Sequence, residues 1–238
     1  MVYNAFGFMH KTKTKNTLNI ISYNLKYHRA FNELGLLAEE YSTDLICAQE
    51  CYSDLLPDNI YNLKLADATK ENRLGLAIYY NPDRFEVEHS SSFPLKKSFH
   101  DRILAPAQER LLVTKLIDKS TSKNIVVGSF HAACLTASNY IRRHQITEAH
   151  SILKSIGKDS PTIMVGDYNY PVFRRGLRVC IEKSGYKLNF SDRPTYAMAK
   201  LLKAHFDLTT SFNATIDQVK TLPKGLSDHK PILVQASL

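Results

Sequence analysis

Short runs of β-branched and aliphatic residues alternate with polar segments along most of the chain. Such runs, bounded by turn residues, predict strands of buried sheets. The best of them lie at residues 18–24, 43–50, 73–80, 84–89, 110–117, 124–131, 161–169 and 230–238. Between the third and fourth runs, Asn81, Pro82 and Asp83 predict a hairpin turn.

Three segments between the strands instead repeat their apolar residues with helical spacing. The first, residues 29–41, sets five apolar or aromatic side chains on one face: Phe31, Leu34, Leu37, Ala38 and Tyr41. The second, residues 137–157, is expected to close with Gly157 as a C′ glycine, and a shorter one ends at Gly185. Strands with few helices between them favour a layered α/β sandwich, with helices on the outer faces.

The chain length suits one sizeable domain. The 238 residues contain 44% hydrophobic residues, which is enough for a real core. No repeat, low-complexity tract or Pro/Gly linker divides the sequence. We therefore expect a single domain over residues 17–238, preceded by an N-terminal arm over residues 1–16.

The charge balance indicates a polyanionic partner. Lysine and arginine number 31 against 23 for aspartate and glutamate, which gives a net charge of +8. Such a balance favours nucleic acid as substrate through counterion release. Nothing in the sequence indicates a stable protein partner.

The sequence features that bear on location predict a cytoplasmic protein. No apolar run approaches the roughly 18 residues that span a bilayer. The N-terminus places its apolar residues before its lysines, the reverse of a secretory signal. The four cysteines match neither zinc nor redox spacing, so we expect reduced structural thiols and a cytoplasmic location.

The predicted strands share a feature at their ends, where polar side chains follow apolar strand bodies. These side chains are Asn24, Glu50, His131, Asp167 and Asn169. Asp228 and His229 instead begin the last strand, as expected if it runs antiparallel to the others and meets them at one edge. Ends of well-packed strands form a rigid rim, where the geometry of a site is well defined.

The chemistry of these groups is restricted. The carboxylates are hard oxygen ligands of the kind that Mg²⁺ and Mn²⁺ prefer. The two imidazoles can donate to phosphate oxygens, and the two amides can orient a ligand or a water. These are the parts needed to attack a phosphodiester with water. No serine lies in a G-x-S-x-G turn, so covalent acyl chemistry lacks support.

The motifs SYN, AQE, SFH, GDYN and SDHKPI, in this order and at strand ends, resemble the endonuclease/exonuclease/phosphatase superfamily with its pancreatic-DNase-like fold. They run from residue 22 to residue 232 and so cover nearly the whole chain. The resemblance implies a four-layered α/β/β/α sandwich of two mixed, largely antiparallel sheets, with the site at one sheet edge. It also implies divalent-metal-dependent hydrolysis of phosphoric esters.

The resemblance further implies roles for single residues. Glu50 would bind the metal with Asn24 beside it, and Asp228 would support the metal or that network. Asp167 would orient or deprotonate the attacking water, and Asn169 would hold water and phosphate.

The two imidazoles have implied roles as well. His229 would contact the scissile phosphate, and His131 would bind phosphate or act as an acid. A further carboxylate should hold His229 in its tautomer. Asp207 and Asp217 are both candidates. The resemblance favours Asp207, because the family has a strand, a turn and another strand between this aspartate and the final motif, and the sequence supplies them only from Asp207.

Substrate contacts are expected from basic residues near these motifs. Arg142 and Arg143 open the helix after His131, and Arg174 and Arg175 follow the GDYN motif. They can grip phosphates, although a solvated surface role competes. Glu71 and Asn72 are candidates for a polar partner of the metal or of a histidine.

These features together predict a Mg²⁺- or Mn²⁺-dependent nuclease that cuts DNA or RNA. The alternative is a phosphatase or phosphodiesterase acting on inositol phosphates, lipids or nucleotides. A third reading, a catalytically dead phosphate-binding module, is disfavoured because the full set of reactive groups is present.

Overall fold

The computed structural model describes residues 17–103, 108–198 and 202–238, so the arm expected over residues 1–16 lies outside the described residues. The helices are α1 (Glu33–Glu40), α2 (Phe99–Ile103), α3 (Asn139–Gly157) and α4 (Arg174–Lys183). The strands are β1 (Thr17–Asn24), β2 (Leu45–Cys51), β3 (Asn59–Ile60), β4 (Leu63–Ala68), β5 (Gly75–Tyr80), β6 (Phe85–Pro94), β7 (Glu109–Asp118), β8 (Lys123–His131), β9 (Thr162–Asp167), β10 (Lys187–Phe190), β11 (Tyr196–Met198), β12 (Leu202–Ala204), β13 (Asp207–Phe212), β14 (Thr215–Thr221) and β15 (Ile232–Ser237).

Two large sheets carry most of these strands. The first has seven strands in the order β14-β15-β1-β2-β5-β4-β3, and the second has six in the order β10-β13-β9-β8-β7-β6. Each contains one parallel pair, β1 with β2 and β8 with β9, and the other pairs are antiparallel. The prediction of two mixed, largely antiparallel sheets is therefore confirmed.

The core has three parts, which define the layers. Aliphatic side chains of the two sheets meet face to face, among them Ile20, Leu45 and Ile78 from the first sheet and Val127 and Val165 from the second. The outer face of the seven-stranded sheet is covered by α1, and that of the six-stranded sheet by α3 and α4. Burial on both faces explains why the strand bodies read as nearly continuous apolar runs.

The helices end by different means. In α4, Gly185 has the positive φ of 85° expected of a C′ glycine. In α3, the same expectation for Gly157 is wrong, because Gly157 is the last helical residue and Lys158 takes the positive φ of 50°. A Cβ at Gly157 would lie 3.1 Å from the Val126 side chain, so this glycine permits close packing of α3 on β8.

The hairpin predicted at Asn81–Asp83 is also wrong. The turn itself forms, with the Phe85 amide donating to the Asn81 carbonyl at 2.9 Å. However, β5 belongs to the seven-stranded sheet and β6 to the six-stranded sheet, so the turn carries the chain between sheets. Arg84 secures the crossing by donating to Asp44 at 2.9 Å and to Asp118 at 3.2 Å.

The topology brings selected strand ends to one edge. The carboxyl ends of the parallel strands β1, β2, β8 and β9 meet there, together with the start of the antiparallel strand β13. In register, Asp167 pairs with His131 on one side and with Asp207 on the other. Among the described residues, no helix is long and apolar enough to cross a membrane.

Candidate active site

A glycine delivers the carboxylate of Asp167 to the sheet edge. Gly166 has a φ of 147°, and a Cβ at this position would overlap the main chain of Phe130 on the neighbouring strand β8. Only a residue without a side chain fits so close an approach of two backbones. Glycine is therefore required at position 166 for β8 and β9 to pack, and this packing places Asp167 at the end of β9.

Asp167 is buried at the centre of the site. Its Oδ2 accepts a hydrogen bond from Nδ2 of Asn24 at 3.2 Å and lies 3.7 Å from Nε2 of both His131 and His229. Its Oδ1 accepts the main-chain N–H of Asn169 at 2.8 Å. Burial raises the pKa of Asp167, and the two neighbouring imidazoles oppose this rise.

A second buried carboxylate orients His229. Nδ1 of His229 donates to Oδ2 of Asp207 at 2.9 Å, which leaves Nε2 directed toward Asp167. The other candidate, Asp217, instead accepts a hydrogen bond from Ser237 at 2.7 Å. Burial lowers the pKa of His229, but Asp207 and Asp167 outweigh that effect and raise it to about 10.

The pKa of the second imidazole is shifted in the opposite direction. Burial lowers the pKa of His131 to about 4, although Asp167 acts to raise it. The two imidazoles that adjoin Asp167 thus differ in environment, since only His229 has a second carboxylate as hydrogen-bond partner.

Glu50 reaches the site from the other sheet. The pairing of β2 with β5 is interrupted between Gln49 and Cys51, and Glu50 in the interruption has a positive φ of 57°. A bulge of this kind redirects a side chain beside a site. The carboxylate of Glu50 accepts from Nδ2 of Asn24 at 3.2 Å and from the main-chain N–H of Tyr27 at 3.0 Å.

The donors present suit an open metal site. Within the described residues, no group of three or more His, Cys, Asp or Glu side chains is arranged as a metal cage. Mg²⁺ usually binds through one or two carboxylates with waters and substrate phosphates, so a cage is not required. The carboxylate of Glu50, beside Asp167, fits that pattern. Asn24 directs its Nδ2 to both carboxylates, and its Oδ1 accepts from the main-chain N–H of Lys26 at 3.0 Å. Asp228 forms an ion pair with Lys26 at 3.3 Å.

These groups share one cavity of about 440 Å³. Its lining includes Glu50, His131, Asp167, Asn169, Asp228 and His229. The buried side chains of Asn24 and Asp207 act from behind this surface, through their hydrogen bonds to Asp167 and His229. The structure therefore brings the predicted acidic, amide and imidazole groups together.

The predicted arginines lie elsewhere, since none of the four is among the described residues that line the cavity. Arg142 is buried and donates to the carbonyls of Ala133 and Cys134, so it shapes the loop after β8. Arg143 donates to the hydroxyl of Tyr170 at 2.8 Å.

The arginines of α4 are on the surface. The Arg174 guanidinium lies 5.1 Å from the ring centre of Phe190, and Arg175 is exposed. Glu71 and Asn72 are not at the cavity either. The Glu71 N–H and the Asn72 side chain bond to Glu109, which ties their loop to the start of β7.

Three other cationic residues lie at the cavity where those arginines were expected, and they were not predicted from the sequence. Lys26, Arg73 and Arg110 line the cavity. Arg110 donates to the carbonyls of His131 and Ala132 at 2.9 and 3.0 Å, and pairs with Asp101. For Arg110 the sequence position was a usable signal. Arg110 lies at the start of β7, which is antiparallel to β8, just as His229 lies shortly before β15, which is antiparallel to β1.

Solved structures with the same architecture identify the fold. The endonuclease/exonuclease/phosphatase from Bacteroides vulgatus matches with a TM-score of 0.78 at 15% identity, covering 94% of this chain and 100% of that chain. This chain has the endonuclease/exonuclease/phosphatase fold. The fold that the motif resemblance implies is thereby confirmed.

The fold does not select a substrate. TDP2 from D. rerio, complexed with a single-strand DNA product, matches with a TM-score of 0.72 at 15% identity, covering 93% of this chain and 99% of its own. The mannosyl-6-phosphatase of Bacteroides thetaiotaomicron has the same TM-score and identity, covering 93% and 100%. No family model and no curated protein matches the sequence. Proteins of this fold thus include different phosphoester enzymes, and the substrate must be argued from the site.

Proposed function

We propose that this protein is a divalent-metal-dependent phosphodiesterase that hydrolyses the backbone of DNA or RNA. One observation carries the proposal: Oδ2 of the buried Asp167 carboxylate lies 3.7 Å from Nε2 of both His131 and His229. The pair of Glu50 and Asn24 adjoins them in the same cavity. This arrangement supplies a base, two phosphate donors and a metal-binding edge.

Asp167 acts as the base for the attacking water. Its Oδ2 accepts the water proton, and Asn169, whose N–H holds the other oxygen of Asp167, orients that water with its amide. Because burial raises the pKa of Asp167, the carboxylate is a stronger base than one exposed to solvent.

The imidazoles act on the phosphate. His229, protonated and held by Asp207, places a positive N–H of Nε2 toward the phosphate oxygens, where negative charge grows as water attacks. His131 donates a second hydrogen bond to the phosphate. Donors of fixed orientation stabilise this charge without having to reorganise during the reaction.

Glu50 is the residue that would hold Mg²⁺ or Mn²⁺, with Asn24 beside it orienting the Glu50 carboxylate and Asp228 supporting the ion or its waters. When bound, the metal supplies positive charge to the phosphate oxygens. Lys26, which pairs with Asp228, keeps that carboxylate at the cavity edge.

Two observations favour a nucleic acid substrate. The net charge of +8 attracts a polyanion, and the structurally similar TDP2 carries a single-strand DNA product. Arg143, Arg174 and Arg175 would contact phosphates beyond the cavity, and the cytoplasmic location is part of the same proposal. The second candidate, a phosphatase acting on small esters, is favoured by the cavity volume and the similar mannosyl-6-phosphatase.

A substrate panel tests the proposal. Purified protein with Mg²⁺ or Mn²⁺ is incubated with DNA and RNA oligonucleotides, inositol phosphates and mannose 6-phosphate. We expect oligonucleotide cleavage that stops with EDTA and returns with Mg²⁺. Asp167→Asn should lower kcat by roughly 10²–10⁴-fold, the usual contribution of a general base, whereas Asp217→Asn should leave it unchanged.

The other outcomes of the panel would each indicate a different explanation. Phosphate release from the small esters with intact oligonucleotides would establish the phosphatase. Metal binding without turnover of any substrate would establish a binding module. Activity that survives Asp167→Asn would come from a contaminating enzyme.

A further inference from the structure

Three consecutive residues beside the site adopt a left-handed backbone. Lys26, Tyr27 and His28 have φ values of 48°, 54° and 67°. This conformation is costly for residues with a Cβ, and consecutive left-handed residues without glycine are rare. Such strain persists only where the surroundings impose it, and it is concentrated at functional sites.

This turn is held by contacts with Glu50 of the candidate active site. The main-chain N–H of Tyr27 donates to the Glu50 carboxylate at 3.0 Å, and that of His28 donates to the Glu50 carbonyl at 2.9 Å. His28 is stacked between Phe31 and Tyr52, with ring centres 4.5 and 5.3 Å away. The backbone is thus anchored at Tyr27 and at His28.

Tyr27 is part of the wall of the open cavity. It lines the cavity together with Glu50 and His229, yet remains 48% exposed. The guanidinium of Arg73, from the loop before β5, lies 5.8 Å from the centre of its ring. The ring of Tyr27 and the guanidinium that lies over it therefore form one wall of the cavity beside the catalytic groups.

From this wall we propose that Tyr27 and Arg73 bind an unpaired nucleobase next to the scissile phosphate, which makes single-stranded nucleic acid the substrate. The inference rests on the proposed function and narrows its substrate from nucleic acid in general to single strands. Bases stack on aromatic rings and guanidinium planes, whatever their identity. A duplex keeps its bases stacked on one another, and an inositol or sugar phosphate has no π face to offer.

Variants of Tyr27 test this wall. Tyr27→Ala should raise KM for a single-stranded oligonucleotide at least about fivefold, the usual loss for one stacked base, and Tyr27→Phe should behave as wild type. Tyr140→Ala is the matched control. Tyr140 is also exposed and has Lys96 5.3 Å from its ring centre, but it is not among the described residues lining this cavity.

An abasic scan locates the base without any variant. Oligonucleotides that carry one abasic position are cleaved by the wild-type protein, with the position moved along the strand. We expect KM to rise only when the abasic position adjoins the cleaved bond, and Tyr27→Ala should add nothing to that rise. The scan uses the native chain, so it decides the question even if Tyr27→Ala folds poorly.

Several results would overturn the inference. They are an unchanged KM in Tyr27→Ala, additive losses from the variant and the abasic position, an equal loss in Tyr140→Ala, or a preference for duplex. These leave the proposed function standing, because the wild-type protein still cleaves nucleic acid. If the wild-type protein cleaves no oligonucleotide, the proposed function fails first and the base subsite fails with it.

Discussion

At the scale of single residues, Asp207 has the largest effect among the carboxylates that raise the pKa of His229. Asp207 is buried, and its Oδ2 accepts from Nδ1 of His229 at 2.9 Å. Burial lowers the pKa of His229, and Asp207 and Asp167 oppose this effect. The charge that suits phosphate binding therefore depends in part on a residue behind the cavity surface.

Asp207→Asn tests this dependence. Loss of the charge lowers the pKa of His229 from about 10, so the cation is lost at a lower pH. We expect the basic limb of the kcat/KM profile to move to lower pH, measured between pH 5 and 10. Asp217→Asn serves as control, and an unmoved limb in Asp207→Asn would contradict the assigned role.

At the scale of elements, glycines decide whether strands and helices can pack. Gly166→Ala should destabilise the fold by roughly 3 kcal/mol or more, because the new methyl group overlaps Phe130 in the parallel β8–β9 pair. Urea unfolding measures the change. Gly176→Ala in α4 is the matched control, where nothing lies within 4 Å, and it should stabilise by about 0.5–1 kcal/mol. Equal stability of the two variants would show that β8 and β9 can separate freely.

Another element contact predicts how stability varies with pH. His150 of α3 is buried between the hydroxyls of Ser184 and Thr210, at 2.7 and 2.9 Å, and stacks on Tyr186 at 3.9 Å. Burial lowers the pKa of His150 to about 3. The folded state therefore holds His150 neutral, whereas the unfolded chain protonates it near pH 6.5.

The sign of the effect follows from that difference. Since the folded pKa lies below the unfolded one, the contribution is complete above about pH 6.5 and is lost as pH falls toward 3. We expect the free energy of unfolding to fall between pH 6.5 and 5 by up to about 1.4 kcal/mol per pH unit for this group. His150→Gln should flatten that slope in urea titrations, and an unchanged slope would assign it to other groups.

At the scale of the whole molecule, net charge determines how binding responds to salt. With 31 basic and 23 acidic residues, contacts to nucleic acid phosphates release counterions. We expect kcat/KM for an oligonucleotide to fall steeply between 50 and 200 mM salt, by roughly 10-fold or more. A small phosphate ester serves as control and should respond weakly. A flat profile for the oligonucleotide would argue against a polyanionic substrate.

The whole molecule also shows why a local signal can mislead. The turn at Asn81–Asp83 forms as its residues predict, yet it joins two sheets instead of two paired strands. Arg142 lies in the first turn of α3 as expected, but its guanidinium donates to carbonyls of the preceding loop. Turn chemistry and helical periodicity are local properties, whereas pairing and side-chain direction depend on distant segments.

By itself, the sequence determined the strand bodies and the polar groups at their ends, because an apolar run that ends in polar residues is a property of neighbours in the chain. That was enough to predict the sandwich and the set of Glu50, Asp167 and His229. Only the tertiary structure decided the rest: which aspartate faces His229, which cations line the cavity, and the left-handed turn that presents Tyr27. Each of these depends on residues far apart in the chain, whose distances no local pattern records.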